Sequence, residues 1–361
     1  MHRVIGERDL SETTFSADDA MAIYRDMVRA RRFDERAVAL QRRGWMSGYP
    51  PYRGQEASQV GAAHAMARED WLFPSYRSNA LQIARGVPMS DLLLFRRGHP
   101  EFHSDHDLPQ FPQAVPIATQ IPHAVGVGMA INYRYRAAAD EDEEPDDAER
   151  PAVVCYFGDG ATSEGDFHEG MNFAGVFSAP VLFFCENNNW AISLPRERQT
   201  ASATIAQKAD AYGFSGGQVD GNDPLAVAEM VESALATVRD GEPVLIESLT
   251  DRRGPHSTSD DPDRYRDRGG DLPEWRSADP LDRYESYLES RGILDDERER
   301  IRAEADAELD EAIAAAEAVD PPDPDDVFDA VYATPTPRLE AQKEWLCGFL
   351  DDDAGVPDPD R

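Results

Sequence analysis

Three short runs of nearly continuous apolar residues constrain the fold of this chain more than any other feature of its sequence. The runs are rich in branched and aromatic side chains and occupy residues 151–157, 179–186 and 243–248. Runs of this kind are typical of strands that are covered on both faces of a sheet. Helical patterns lie between them at 164–176, 204–212 and 224–238. This alternation predicts an α/β fold with a doubly wound, mainly parallel sheet flanked by helices.

Helical patterns extend the chain at both ends of this α/β region. Ser16 to Asp19 resembles a capping box, and the amphipathic pattern that follows it stops at Gly44. Further helical patterns cover 280–290, 295–319 and 337–350. We therefore expect an N-terminal helical extension over 1–50, an α/β domain over 51–275 and a C-terminal helical region over 276–361. The polar stretch 251–279 predicts a long loop, and long loops are usually functional or disordered.

The charge of the chain limits its partners. Asp and Glu number 70 against 36 Lys and Arg, which gives a formal net charge of -34. A surface this negative repels phosphate groups, so we expect neither nucleic acid nor a membrane as a partner. Lysine is scarce, with Lys208 and Lys343 alone among many arginines. Acidic residues spread along a lysine-poor chain favour adaptation to high salt, where repulsion is screened. The alternative is a local acidic tail that binds a basic partner.

The N-terminus and the cysteines indicate a compartment. The first residues, MHRVIGERDLSETTF, contain no apolar signal core, and no stretch of the chain approaches 18 apolar residues. Of the three cysteines, Cys155 and Cys185 lie within the apolar runs, whereas Cys347 lies near the end of the chain. An odd number in such positions favours buried thiols over a disulfide framework or a metal cluster. We therefore expect a soluble, cytoplasmic protein.

Polar residues follow two of the predicted strands directly. Gly158-Asp159-Gly160 comes after the first run and Asn187-Asn188 after the second, with 26 residues (161–186) between them. Because the carboxyl ends of parallel strands meet at one edge of a sheet, the two segments should lie close together. The Asp159 carboxylate, the Asn188 amide oxygen and the Trp190 carbonyl would suit Mg²⁺ bound to a diphosphate. Either segment alone is ordinary turn chemistry, and only the combination is specific.

The stretch 156–193, from YFGDGATSEG to ENNNWAIS, resembles the alpha subunit of the thiamine-diphosphate-dependent decarboxylase of 2-oxo acid dehydrogenase complexes. Five more segments share the resemblance, at 74–80, 118–126, 219–223, 256–266 and 328–346. It covers the chain from about residue 17 to 350. The resemblance implies the thiamine-diphosphate-binding fold, with this chain supplying the diphosphate-binding domain.

Matched position by position, the resemblance also implies roles for individual residues. Asp159, Asn188 and the Trp190 carbonyl would bind Mg²⁺. Gly160 and Ala161 would lie against the diphosphate of the cofactor. The other implied site residues are Tyr76 and Arg77 at the diphosphate, Ile117 beside the aminopyrimidine, His256 facing cofactor and substrate, and His103 as a second catalytic histidine. Asn189-Trp190 departs from the Gly-Tyr that is frequent in the family.

The resemblance implies an activity and partners. The activity is oxidative decarboxylation of a 2-oxo acid, with acyl transfer to the lipoyl group of an acyltransferase. A separate beta subunit supplies the glutamate that activates the aminopyrimidine, so the working unit should be a heterotetramer of two alpha and two beta subunits. Glu186 matches pyruvate-type members, whereas 256–261 and 328–332 look branched-chain-like. The substrate therefore stays open.

Several alternatives stay open. The chain could be the alpha subunit of an acetoin dehydrogenase, or a non-catalytic binding module that keeps the cofactor fold. Half of a split transketolase-like enzyme is disfavoured by the dehydrogenase-like segment 256–266. Ser257 aligns with a serine that is phosphorylated in eukaryotic relatives, and an unmodified serine is favoured here.

Overall fold

The computed structural model of the chain describes residues 1–113, 115–140, 150–266, 272–294 and 297–351. Its centre is a five-stranded parallel sheet with the spatial order β1-β2-β3-β7-β6. These strands are β1 (Trp71–Phe73), β2 (Val153–Gly158), β3 (Val181–Asn187), β6 (Ser215–Asp220) and β7 (Val244–Leu249). Two short strands, β4 (Trp190–Ala191) and β5 (Leu194–Pro195), pair antiparallel beyond the end of β3.

Helices cover the sheet and both ends of the described chain. The first six are α1 (Ala17–Arg42), α2 (Glu56–Ala65), α3 (Asn79–Ala84), α4 (Met89–Arg96), α5 (Gln120–Asp140) and α6 (Gly165–Phe177). The others are α7 (Pro224–Arg239), α8 (Glu274–Ser277), α9 (Pro280–Glu289), α10 (Arg298–Glu317), α11 (Pro324–Phe328) and α12 (Pro337–Asp351). α1 begins as predicted, because the Ser16 hydroxyl accepts a hydrogen bond from the Asp19 amide and the Asp19 side chain accepts one from the Ser16 amide.

Alternate residues of the central strands face opposite layers of helices. Val154 and Tyr156 of β2 lie in one core with residues of α1, α2, α7, α9 and α10. Val153, Cys155 and Phe157 lie in a second core with residues of α5 and α6. Both faces of the sheet are therefore buried, which explains why its central strands are nearly continuous apolar runs. The predicted α/β fold with a doubly wound parallel sheet is confirmed.

Small residues in α2 allow one of these helix layers to pack closely. A Cβ atom added at Gly61 would lie 2.5 Å from the backbone oxygen of Pro224, at the start of α7. Only glycine allows this approach. Among the described residues, no helix is both long and apolar enough to cross a lipid bilayer.

The structure differs from the predicted elements in a few places. The edge strands β1 and β6 were not expected, since one has three residues and the other begins with two exposed positions and contains two glycines. The helix expected at 204–212 is a 3-10 helix, Ala206–Tyr212. The stretch 251–279 is mainly loop but contains α8, and its residues 267–271 lie outside the described part. The boundaries of the three expected parts stay a prediction.

Candidate active site

A cavity of about 510 Å³ opens at the carboxyl edge of the sheet. Its wall combines the ends of β2 and β3, the turn after β1, the segment before α5 and the loop after β7. Nine residues expected at the site line it, which are Tyr76, Arg77, Ile117, Asp159, Gly160, Ala161, Asn188, Trp190 and His256. His103 is the exception. It is exposed and does not line this cavity, and its ring lies 6.2 Å from that of His99.

Asp159 stands at the end of β2 as a buried carboxylate. Its side chain is 1% exposed, and Oδ2 accepts a hydrogen bond of 3.3 Å from Gln199 Nε2. Oδ1 is also buried and has no hydrogen-bond partner among the described residues. Burial raises the pKa of Asp159 from its usual range to about 6. A buried carboxylate oxygen without a partner is costly unless a cation or a donor reaches it, so this position is suited to cation binding.

Asn188 stands at the end of the neighbouring strand, β3. Its Nδ2 donates to Gln55 Oε1 at 2.9 Å, and its Oδ1 accepts from the Trp190 amide at 3.1 Å. Between them Asn189 has a positive φ of 70°. Asparagine tolerates this left-handed conformation better than most residues, which explains how the chain makes this turn without glycine. The turn brings Trp190 back to the cavity wall.

Gly160, just after β2, allows the backbone to pack closely against the short strand β4. A Cβ atom added at Gly160 would lie 3.0 Å from the Cβ atom of Ala191, in the short strand β4. The next residue, Ala161, is buried, and α6 begins at Gly165. The backbone after Asp159 is therefore exposed to the cavity without a bulky side chain in front of it, as a phosphate-binding turn requires.

A cationic part of the cavity wall contains His256. Arg77 Nη2 lies 3.1 Å from His256 Nδ1 and donates to its backbone oxygen at 2.9 Å. Arg252 Nη1 lies 3.3 Å from the same Nδ1. Burial, together with Arg77 and Arg252, lowers the pKa of His256 to about 4. Because both neighbours are donors, Nδ1 must accept and Nε2 must carry the proton of a neutral ring.

The loop that carries His256 is held by its own hydrogen bonds. The His256 amide and the Tyr265 hydroxyl both donate to Asp260 Oδ2, at 2.7 and 2.6 Å. Arg252 Nη2 donates to the Tyr265 hydroxyl at 3.1 Å and to the Ile192 oxygen at 2.9 Å. These contacts join the loop to the turn after β4 and hold His256 at the cavity wall.

Comparison with known proteins identifies the family to which the chain belongs. The sequence model of one family, the dehydrogenase E1 component, matches residues 24–325. The chain belongs to this family. It is 43% identical over 350 residues to the 3-methyl-2-oxobutanoate dehydrogenase subunit alpha of Mycobacterium tuberculosis, with 94% of this chain and 88% of the relative covered. It is 37% identical over 349 residues to the pyruvate dehydrogenase E1 component subunit alpha of Bacillus cereus, with 94% and 89% covered.

A third relative is also named as a pyruvate dehydrogenase subunit. It is the pyruvate dehydrogenase E1 component subunit alpha of Staphylococcus aureus, 40% identical over 300 residues, with 79% of this chain and 76% of the relative covered. The family resemblance identified from the motifs is therefore confirmed. Membership of the dehydrogenase E1 family implies thiamine diphosphate as the cofactor.

The cavity residues of this E1 chain that were not predicted as site residues include several charged ones. Arg96 and Arg252 add to the positive charge, and Glu186 lies one residue before the Asn187-Asn188 pair. Burial raises the pKa of Glu186 to about 7, and its Oε1 accepts a hydrogen bond of 2.7 Å from the Tyr156 hydroxyl. Arg252 follows the end of β7 by three residues. The strand-end argument that identified Asp159 could therefore have identified Arg252 too.

Proposed function

We propose that this chain is the alpha subunit of a 2-oxo acid dehydrogenase E1 component. It decarboxylates a 2-oxo acid and passes the acyl group to the lipoyl group of an acyltransferase. The observation that carries the proposal is the unpartnered, buried Oδ1 of Asp159, beside Asn188 on the neighbouring strand end in a cavity of about 510 Å³. Membership of the E1 family supports the same reaction.

The residues of the cavity fit the cofactor and its metal ion. Asp159, Asn188 and the Trp190 carbonyl offer oxygen atoms, which are the ligands that Mg²⁺ prefers. The open backbone at Gly160 and Ala161 fits the diphosphate, and Tyr76 and Arg77 line the same cavity, where the Arg77 guanidinium adds positive charge. Ile117 is proposed to lie beside the aminopyrimidine. Thiamine diphosphate, when bound, supplies the nucleophile and the electron sink for decarboxylation.

His256 is proposed to act as a hydrogen-bond donor toward substrate. With a pKa of about 4 it is neutral at pH 7, and Arg77 and Arg252 hold Nδ1 as an acceptor. The proton on Nε2 can then stabilise negative charge that develops on a substrate oxygen. The two guanidinium groups add positive charge for an anionic 2-oxo acid. The resemblance implies a second catalytic histidine at His103, but this residue lies outside the described cavity, and we propose no catalytic role for it there.

A second subunit is proposed to complete the site. Apolar side chains at the cavity mouth are exposed, with Val115 at 58%, Ile117 at 43% and Ile192 at 55%. Covering them by a beta subunit would exclude water from the cavity. We propose a heterotetramer of two alpha and two beta subunits, in a salt-adapted cytoplasm consistent with the net charge of -34.

The test is 2-oxo-acid-dependent reduction of an artificial electron acceptor by the chain co-expressed with its beta subunit. The assay contains molar KCl, Mg²⁺ and thiamine diphosphate, and it compares pyruvate, branched-chain 2-oxo acids and acetoin. We expect activity that requires thiamine diphosphate, on pyruvate or a branched-chain 2-oxo acid. Preference for acetoin would assign the alternative acetoin dehydrogenase. A folded complex that binds cofactor and turns over none of them would favour a non-catalytic binding module.

A further inference from the structure

Gln55, directly before α2, is buried and contacts one of the proposed metal ligands. Its side chain is fully buried, and Oε1 accepts the hydrogen bond of 2.9 Å from Asn188 Nδ2. The two residues are 133 positions apart in the sequence. Gln55 does not line the cavity, so it cannot touch a bound cofactor through the described surface. Any effect of Gln55 on the site must therefore act through Asn188.

Two hydrogen bonds agree on the orientation of the Asn188 amide. The Trp190 amide is a donor and lies 3.1 Å from Oδ1, so the oxygen must face it. On the other side of the amide, Gln55 Oε1 then accepts the hydrogen bond from Asn188 Nδ2. With the nitrogen occupied by Gln55, the oxygen keeps a second lone pair that can bind a cation. If the amide were reversed, its nitrogen would face the Trp190 N–H and no cation could bind there.

Gln55 makes this contact while one of its own groups has no partner. Its Nε2 is buried and has no hydrogen-bond partner among the described residues. Leaving a buried donor unsatisfied is unfavourable, and such a group calls for an explanation. Turning the Gln55 amide around would only bring two donors, Nε2 and Asn188 Nδ2, together. The unsatisfied nitrogen is thus a consequence of presenting the oxygen to Asn188.

We propose that Gln55 is a positioning residue for the metal ion, because its Oε1 fixes the Asn188 amide with the oxygen available to Mg²⁺. This inference rests on the proposed function, since it needs Asn188 to be a metal ligand. Residues that orient metal ligands commonly change metal affinity by about 10- to 100-fold when they are replaced. Mg²⁺ demands near-ideal octahedral geometry, whereas Ca²⁺ accepts flexible geometry, so a loosened Asn188 should weaken Mg²⁺ more than Ca²⁺.

The test uses Gln55→Met and Gln55→Glu in the full chain co-expressed with its beta subunit. Met keeps the length of the side chain and removes the acceptor, whereas Glu keeps an acceptor. Calorimetry measures thiamine diphosphate affinity as a function of Mg²⁺ and, separately, of Ca²⁺. Gln82→Met is the matched control, because Gln82 is also buried and accepts a side-chain amide, that of Gln110 at 2.8 Å, away from the cavity.

For Gln55→Met we expect the Mg²⁺ concentration for half-maximal cofactor binding to rise about 10- to 100-fold. The rise should be smaller with Ca²⁺, and Gln55→Glu should stay within about threefold of the wild type. Wild-type affinity in Gln55→Met, or an equal loss in Gln55→Glu, would overturn the inference. So would equal losses with both metals, or the same loss in Gln82→Met, since these indicate a general packing defect. If the wild-type complex itself shows no Mg²⁺-dependent binding, the proposed function fails instead.

Discussion

Two parts of the cavity differ in how they are built. In the metal end, Asp159 and Asn188 directly follow the ends of neighbouring strands, whereas in the histidine end His256 is held by side chains from distant segments. The first pair takes its position from the register of β2 against β3, in which Gly158 pairs with Glu186. His256 depends on Arg77, 179 residues away, and on a loop that packs against Tyr49. The metal end is therefore part of the sheet, and the histidine end is assembled on it.

This difference predicts different kinds of defect. Changes at the metal end should affect binding of the cofactor, because the proposed ligands are part of a rigid frame and have no substitute. Replacing His256 should affect turnover and leave cofactor affinity nearly unchanged, and changes in its loop should affect the stability of the loop. Arg77 is an exception, because it is also proposed to lie at the diphosphate. The predictions below test this division.

The largest expected effect is that of Asp159→Ala. We expect thiamine diphosphate affinity in the presence of Mg²⁺ to fall by more than about 100-fold, since a direct ligand should matter more than the residues that orient it. Calorimetry on the complex measures the change. Asp166→Ala, an exposed carboxylate seven residues further on, is the control and should bind like the wild type. Unchanged affinity in Asp159→Ala would show that Asp159 is not a ligand of the metal ion.

His256→Ala should give the opposite pattern. We expect turnover to fall about 100-fold or more, since a positioned hydrogen-bond donor to developing negative charge contributes this much, while cofactor affinity stays within about threefold. Steady-state kinetics and calorimetry on the same preparation separate the two quantities. Because the pKa of His256 is about 4, the wild-type rate should show no step near pH 6.5 from this residue. His168→Ala, at an exposed histidine outside the cavity, is the control. Equal losses of affinity and turnover would erase the distinction between the ends.

The support under the histidine end predicts a pH dependence of stability. The Thr258 amide donates to the Tyr49 backbone oxygen, and the Tyr49 amide donates to the Thr258 hydroxyl. The Tyr49 hydroxyl donates to Asp34 at 2.8 Å. Burial, and next the charge of Glu56, raises the pKa of Asp34 to about 7. A raised carboxyl pKa contributes stability that is complete below the unfolded pKa of about 4 and is lost as pH rises through about 7.

Asp34→Asn keeps an oxygen for Tyr49 and removes this titration. Between pH 5 and 8 the free energy of unfolding of the wild type should fall relative to the variant, by on the order of 2–3 kcal/mol. Denaturant unfolding at both pH values measures the difference, with Asp166→Asn as the surface control. Parallel pH profiles for wild type and Asp34→Asn would show that Asp34 does not titrate in this range.

The same division explains what could be predicted from the sequence. Asp159 and Asn188 follow apolar runs that any parallel sheet must bury, so local pattern was enough to bring them together. β6 was missed because its first two residues are exposed and two of its residues are glycines. It forms through pairing with β7 on one side and with His2 on the other. Gln55 could not be found in this way, since its contact with Asn188 depends on how α2 packs against the sheet.

His103 was expected at the site from its sequence segment, but the folded chain leaves it outside the cavity. Its replacement should therefore have the smallest effect on turnover and cofactor affinity. Its exposed ring lies beside His99 in the segment between α4 and α5, outside the described cavity. With this arrangement, we expect His103→Ala to change turnover and cofactor affinity by less than about threefold, as for other surface substitutions. His106→Ala, in the same segment, is the matched variant. A loss near 100-fold in His103→Ala alone would mean that the segment moves into the cavity when the beta subunit binds, so that the histidine end would be assembled from both subunits.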